Sequence, residues 1–234
     1  AQESRGLGDV YKRQMDNRDI FAAATEIKIH YPNIPIVVLT PFSKEVSKRI
    51  ANEDLSAIDY VFSWLGNAEL LLAIIKLIED KMNLEHDVKE VGVQLILLVE
   101  DSIRFYSSVL PNLYKFVLKQ SQEFSTEALN AHQRTLRMRG RPKIVLARTY
   151  EEAMDIYNKY TNNILGVITD VRFPRVDKGE KDGMAGIKLC AEVRKKDPFV
   201  PLIIQSSETE NAAYAAKYGA TFIDKNSKKM NIDL

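Results

Sequence analysis

Apolar residues in this chain fall into two patterns: short continuous runs of four to seven, and longer stretches where they recur every three or four positions. The first pattern fits strands buried on both faces, the second amphipathic helices. In the first third of the chain, this reading predicts a helix over Phe21–Tyr31 ended by Pro32 and a buried strand at Ile36–Leu39. A polar helix at Lys44–Glu53, a strand at Ala57–Phe62 and a strongly apolar-faced helix at Ala68–Met82 follow. The stretch NLEHDVKEVG (83–92) is polar and reads as a connector. Beyond it lie a strand at Val93–Val99, an unusually long helical region over Ser102–Arg137, a strand at Lys143–Ala147 and a helix at Tyr150–Tyr160 capped by Thr149. Leu165–Ile168 is the next strand, followed by a helix over 185–196, a strand at Leu202–Gln205, a helix at Glu208–Tyr218 and a strand at Thr221–Asp224. Strands alternating with helices predict an α/β fold with a doubly wound parallel sheet.

The same pattern occurs twice. EIKIHYPNIPIVVLT (26–40) aligns with EVRKKDPFVPLIIQS (192–206): Glu26 with Glu192, Lys28 with Arg194, Pro32 with Pro198, Pro35 with Pro201 and Thr40 with Ser206. A second matching strand begins at Ala57 and Ala220. Such a constant offset marks an internal repeat. The expected organisation is two tandem copies of one α/β unit, over 15–84 and 93–234, joined by a linker at 85–92. The first copy lacks its amino-terminal half and the second its last helix. Residues 1–14, AQESRGLGDVYKRQ, have no apolar period and resemble translated sequencing-adaptor read-through, so they are set aside as a non-native leader.

Composition narrows the classes little. Apolar residues make up 45% and charged residues 28% of the 234, with a net charge of +1, which gives no argument for nucleic acid or for an acidic membrane surface. The apolar runs are too short to cross a bilayer. The one cysteine, Cys190, excludes an internal disulfide, fits a reducing, cytoplasmic setting and sits in an apolar pattern that favours a buried hydrophobe over a nucleophile. The three histidines have no partner at metal-ligand spacing.

Chemistry concentrates where strands end. In an open parallel sheet the carboxyl ends of the strands form a common rim. The second copy delivers Glu100 and Asp101 from LLVEDS, Asp170 from GVITDVRFP, Ser206 and Ser207 from IIQSS, and Lys225 from FIDKNS. Each alone has a bland reading: Asp170 a turn residue, the acidic pair and Ser207 helix caps, Lys225 a solvated cation. Together, three carboxylates would repel unless a cation compensated them. A hard divalent ion such as Mg²⁺ suits that donor set. A carboxylate beside such an ion can take up a phosphoryl group, with a lysine and a hydroxyl to meet its oxygens.

In order and spacing, LLVEDS, ITDVRFP, PLIIQSS and FIDKNS resemble the receiver domain of two-component response regulators. That resemblance covers 93–234 and implies a five-stranded, flavodoxin-like receiver fold. It implies Asp170 as phosphoacceptor, with Mg²⁺ held by Glu100, Asp101, Asp170 and the backbone carbonyl of Arg172. It implies Ser206 as switch hydroxyl, Lys225 as the phosphate-facing lysine and Phe222 as the aromatic switch. The implied partners are a histidine kinase or phosphotransfer protein and an output domain or protein. The implied chemistry is self-phosphorylation and slow dephosphorylation rather than enzymatic turnover. Three features depart from the family: Asn226 replaces the usual proline after the lysine, the region 102–142 is long and ends in basic LRMRGRP, and RVDKGEKDGMAG (175–186) lengthens the loop beside Asp170. For LRMRGRP a solvated helix end is favoured over a phosphate or partner contact.

In the first copy Thr40 matches the switch hydroxyl and Tyr60 the aromatic, while the lysine position falls on Ser63, followed by Trp64. It resembles a degenerate receiver suited to docking. Degenerate and long-helix receivers in series loosely resemble the amino-terminal part of proteins that continue as phosphoenolpyruvate synthase-like modules. Two other readings compete. A phosphatase of the haloacid dehalogenase type would need a second aspartate where Arg172 stands. A pseudo-receiver would bind partners without phosphate.

Overall fold

A computed structural model describes residues 19–41, 54–64, 66–126 and 140–227. The expected helix at 44–53, the leader and the carboxyl-terminal residues after 227 lie outside the described residues. The chain divides into two units, residues 1–65 and 66–234.

In the first unit, helix α1 (Ile20–His30) starts at Asp19, whose carboxylate accepts from the Phe21 N–H at 3.1 Å. Strands β1 (Val37–Pro41) and β2 (Tyr60–Trp64) run parallel. Asp59 joins these pieces: it accepts from Lys28 Nζ and from the Ile36 N–H, both at 2.9 Å.

The second unit begins with helix α2 (Glu69–Val91), which ends where Gly92 turns left-handed at φ 70°. Here the structure differs from the expected division. The stretch read as a linker is helical through Val91, and the helix groups with the second unit rather than the first. The physical reason is a buried ion cluster. Asp80, fully buried, accepts from Arg141 Nη2 at 2.5 Å and Nη1 at 3.0 Å, from the Tyr114 hydroxyl at 2.9 Å and from the Ile144 N–H at 3.1 Å. Lys143 lies 2.7 Å from Asp87 on the next turns of the helix. Arg141 of LRMRGRP is therefore a buried structural cation, not part of a solvated helix end; 136–139 lie outside the described residues. Leu84 and Val88 add an apolar contact with Leu95, Val145 and Tyr160.

The remaining elements are β3 (Leu95–Val99), α3 (Ile103–Thr126), β4 (Lys143–Ala147), α4 (Tyr150–Lys159), β5 (Ile164–Asp170), β6 (Phe173–Pro174), β7 (Lys181–Asp182), α5 (Ala185–Lys196), β8 (Leu202–Ser206), α6 (Ala212–Lys217) and β9 (Thr221–Asp224). The long helical region is described through Thr126; residues 127–139 lie outside the described residues. Thr149 caps α4 as expected, accepting from the Glu152 N–H at 3.2 Å. The main sheet has five parallel strands in the order β4-β3-β5-β8-β9, the doubly wound order in which the chain starts in the interior and reverses direction once. Its strands are near-continuous apolar runs because both faces are covered. On one side the cover is α4 and α5, through Ala153, Tyr157, Leu189, Cys190 and Val193. Helix α6 is shorter than its expected span: a 3₁₀ turn at Thr209–Asn211 takes its first residues.

Candidate functional site

Strand register explains how residues distant in sequence meet. Val99 pairs with Thr169, Asp170 with Gln205, and Ser206 with Asp224. Glu100 and Asp170 therefore leave the sheet level with one another, and Ser206 and Lys225 each about one residue further along the same rim. Two backbone bonds hold the rim: Glu100 N–H to the Ala147 carbonyl at 3.0 Å, and Lys225 N–H to the Ser206 carbonyl at 2.9 Å.

Carboxylate oxygens of Glu100, Asp101 and Asp170 lie within 4.8 Å of one another. Lys225 reaches into this cluster with only 4% of its side chain exposed, 2.5 Å from Glu100 Oε2 and 3.0 Å from Asp170 Oδ2. Its ammonium also lies 4.2 Å from the centre of the Phe105 ring, which shields it from water and adds a cation–π contact. Asp170 Oδ1 accepts from the Val171 N–H at 2.7 Å, and Glu100 Oε1 from the Ser102 N–H at 3.0 Å. Burial is the largest influence on Glu100 and raises its pKa from 4.5 to about 7; Lys225 opposes the shift and the charge of Asp170 adds to it. Gly186, at the start of α5, lies so close to the Asp170 carbonyl that a Cβ there would sit 1.9 Å from the oxygen. Only glycine lets this helix approach the strand end so closely.

Ser206 is buried, and its hydroxyl accepts from the Glu208 N–H at 3.0 Å and from Asn211 Nδ2 at 2.9 Å. It is thus Ser206, not Ser207, that caps the following turn. Phe222 is half-buried and packs against the core cluster. The Arg172 side chain is exposed and stands 3.8 Å from Glu208. Asn226 donates from its side-chain amide to the Ser207 carbonyl at 3.0 Å and ties the Lys225 loop to the end of β8.

Three contributors escaped sequence reasoning. Phe105 and Asn211 look like ordinary helix residues until the sheet brings them to the rim. Lys181, in the lengthened loop, reaches Asp101 Oδ2 at 2.6 Å. Loop length marks that segment, but only the β6–β7 hairpin, in which Phe173 pairs with Asp182, turns the lysine toward the site.

The donor set fits Mg²⁺. It consists of hard carboxylate oxygens, and among the described residues Asp101 Oδ1 is buried with no hydrogen-bond partner. By contrast Cys190 is fully buried, with its thiol pushed up to about 12 by burial, so it takes no part. No described helix is long and apolar enough to cross a membrane.

No family model and no curated protein matches the chain. Solved structures do resemble it. One is a response regulator receiver domain protein from Clostridium thermocellum, at 22% identity over 60% of this chain and 88% of that one, with a TM-score of 0.39. Another is the chemotaxis protein CheY4 of Vibrio cholerae, at 20% identity over 60% and 92%, with a TM-score of 0.35. A third is a chain of the CheX–CheY–BeF3–Mg complex of Borrelia burgdorferi, at 22% identity over 62% and 87%, with a TM-score of 0.34. These overlaps are loose. The class of the second unit, a doubly wound five-stranded α/β domain with an acidic rim, stands on its own strand order and side chains.

Proposed function

We propose that residues 93–234 are a receiver domain that takes a phosphoryl group on Asp170 and passes the change to a partner or output surface. The observation that supports this most is the convergence of Glu100, Asp101, Asp170 and Lys225 at one sheet edge. A carboxylate oxygen of Asp170 attacks the phosphorus of a phosphohistidine on a histidine kinase or phosphotransfer protein. The new P–O bond forms as the P–N bond breaks, and the histidine nitrogen leaves with the electron pair. Lys225, already 3.0 Å from Asp170, meets the added negative charge. Glu100, Asp101 and Asp170, with the Arg172 carbonyl, would hold Mg²⁺, which neutralises charge on the phosphoryl oxygens when bound.

The Ser206 hydroxyl gives up its bonds from Asn211 and Glu208 and donates to the phosphoryl group, and Phe222 follows it inward. The result is a population shift driven by new charge-assisted bonds. The domain is a cytoplasmic switch, not an enzyme of turnover. On the repeat, the first unit is a degenerate receiver that serves for docking. Strand register refines that comparison. Thr40 pairs with Ser63, so the residue in the lysine's place is Trp64, and Val61 takes the aromatic's place instead of Tyr60. Either way no ammonium stands there.

Incubating the full chain with acetyl phosphate and Mg²⁺ and reading the intact mass tests the proposal. The expected result is one phosphate adduct that hydroxylamine removes and that Asp170→Asn or a chelator abolishes. A folded chain that takes no adduct would place the second unit among receivers that act by docking alone.

A further inference from the structure

We propose that Lys181 is a built-in counter-ion for Asp101 that competes with a divalent cation for that carboxylate, so that metal entry loosens the hold of the β6–β7 hairpin on the rim. This rests on the reading above, in which Asp101 is a metal ligand.

The geometry makes the contact unlike an ordinary surface ion pair. Asp101 is only 13% exposed, and one of its oxygens is buried without a partner among the described residues. A carboxylate in that setting needs a compensating charge. Lys225 is committed to Glu100 and Asp170. The cation at Asp101 comes instead from Lys181, whose side chain is half in solvent. The hairpin that carries it is fixed at both feet. Phe173 is fully buried at one, and at the other Asp182 accepts from the Met184 N–H at 2.9 Å and from Lys188 Nζ at 2.5 Å. Between them the chain turns tightly, with Lys178 at φ 56° and the Gly179 N–H bonded to the Val176 carbonyl at 3.0 Å. The feet hold Lys181 over the acidic rim, while the tip is exposed.

A divalent ion held by Asp101 would share that carboxylate with the Lys181 ammonium 2.6 Å from its Oδ2, and the two like charges would repel. The two cations compete for one carboxylate. Lys181 thus balances the site when no metal is bound and weakens metal binding by the strength of its own contact. Metal entry loosens the grip of Lys181 on the rim, beside the phosphoacceptor where an incoming donor would approach.

The test titrates Mg²⁺ calorimetrically into the full chain and into Lys181→Gln, Lys181→Arg and Lys178→Gln, with amide hydrogen exchange over 173–182 followed in parallel. The expected result is binding about two- to fivefold tighter in Lys181→Gln, the range set by the loss of one partly exposed ion pair. Lys181→Arg and Lys178→Gln should match the wild type, and Mg²⁺ should speed wild-type exchange in the hairpin. Equal affinity in Lys181→Gln and wild type would overturn the proposal. So would equal tightening by Lys178→Gln, which would mark a long-range charge effect, or hairpin exchange that Mg²⁺ leaves unchanged. If none of the chains binds Mg²⁺, the metal-site reading itself fails and the coupling falls with it.

Discussion

Glu100 carries the largest electrostatic burden in the site. It is buried against Lys225 and faces the charge of Asp170, and its pKa rises from 4.5 to about 7. The sign of the consequence follows from proton counting. Below about pH 4.5 both folded and unfolded chains hold the proton, and the full stabilisation is present. Between about 4.5 and 7 the unfolded chain loses the proton while the folded one keeps it, so stability falls as pH rises, by about 3 kcal/mol in total. Urea midpoints measured in chelator at about pH 5 and about pH 8 should therefore separate more for the wild type than for Glu100→Gln. Identical separations would mean that Lys225 keeps Glu100 ionised throughout. Cys190 offers a second check at this scale. With its thiol near 12, it should resist iodoacetamide at about pH 8 in the folded chain and react once urea unfolds it.

At the scale of elements, the sheet and the first part of helix α2 were legible, and the continuation of α2 through Val91 was not. Parallel strands covered on both faces are mostly apolar, so Leu95–Val99 and Lys143–Ala147 stand out from composition alone, and the end of the first names Glu100 at the rim. The carboxyl half of α2 carries polar residues at most positions, which locally resembles a connector. What makes it helix is tertiary: Asp80 and Asp87 find Arg141 and Lys143 some sixty residues later. No local pattern announces such a pairing. The same limit hid Lys181 and Phe105, whose roles depend on the hairpin and on the packing of α3 beside the rim. The cluster also makes a prediction. Asp80→Ala leaves two buried cations without their shared acceptor and should cost about 3–5 kcal/mol in urea unfolding of the full chain. Asp80→Leu combined with Arg141→Met removes the charge from both sides and should cost less than Asp80→Ala alone. A double variant as damaged as the single one would mean that Asp80 acts through its bonds to Tyr114 and the Ile144 N–H instead.

For the molecule as a whole, these contacts decide where the second unit starts. The repeat and the polar stretch at 83–92 place the boundary at Val93, at the first strand. The structure places helix α2 with the domain that follows it, through Asp80, Asp87 and Leu84. A chain beginning at Val93 would keep every residue of the acidic rim, yet lose the carboxylates of Asp80 and Asp87 that Arg141 and Lys143 bind. It would also uncover the apolar surface of Leu95, Val145 and Tyr160 that Leu84 covers. Losing the bonds to Asp80 together with the apolar cover of Leu84 costs several kcal/mol, a large part of the stability of a domain this size. A chain beginning at Gly66 should therefore show one cooperative urea transition and take the phosphate adduct on Asp170. The chain beginning at Val93 should unfold at much lower urea or fail to fold. If the two unfold together, the ion cluster contributes no net stability, and the helix is packed against a domain that is complete without it.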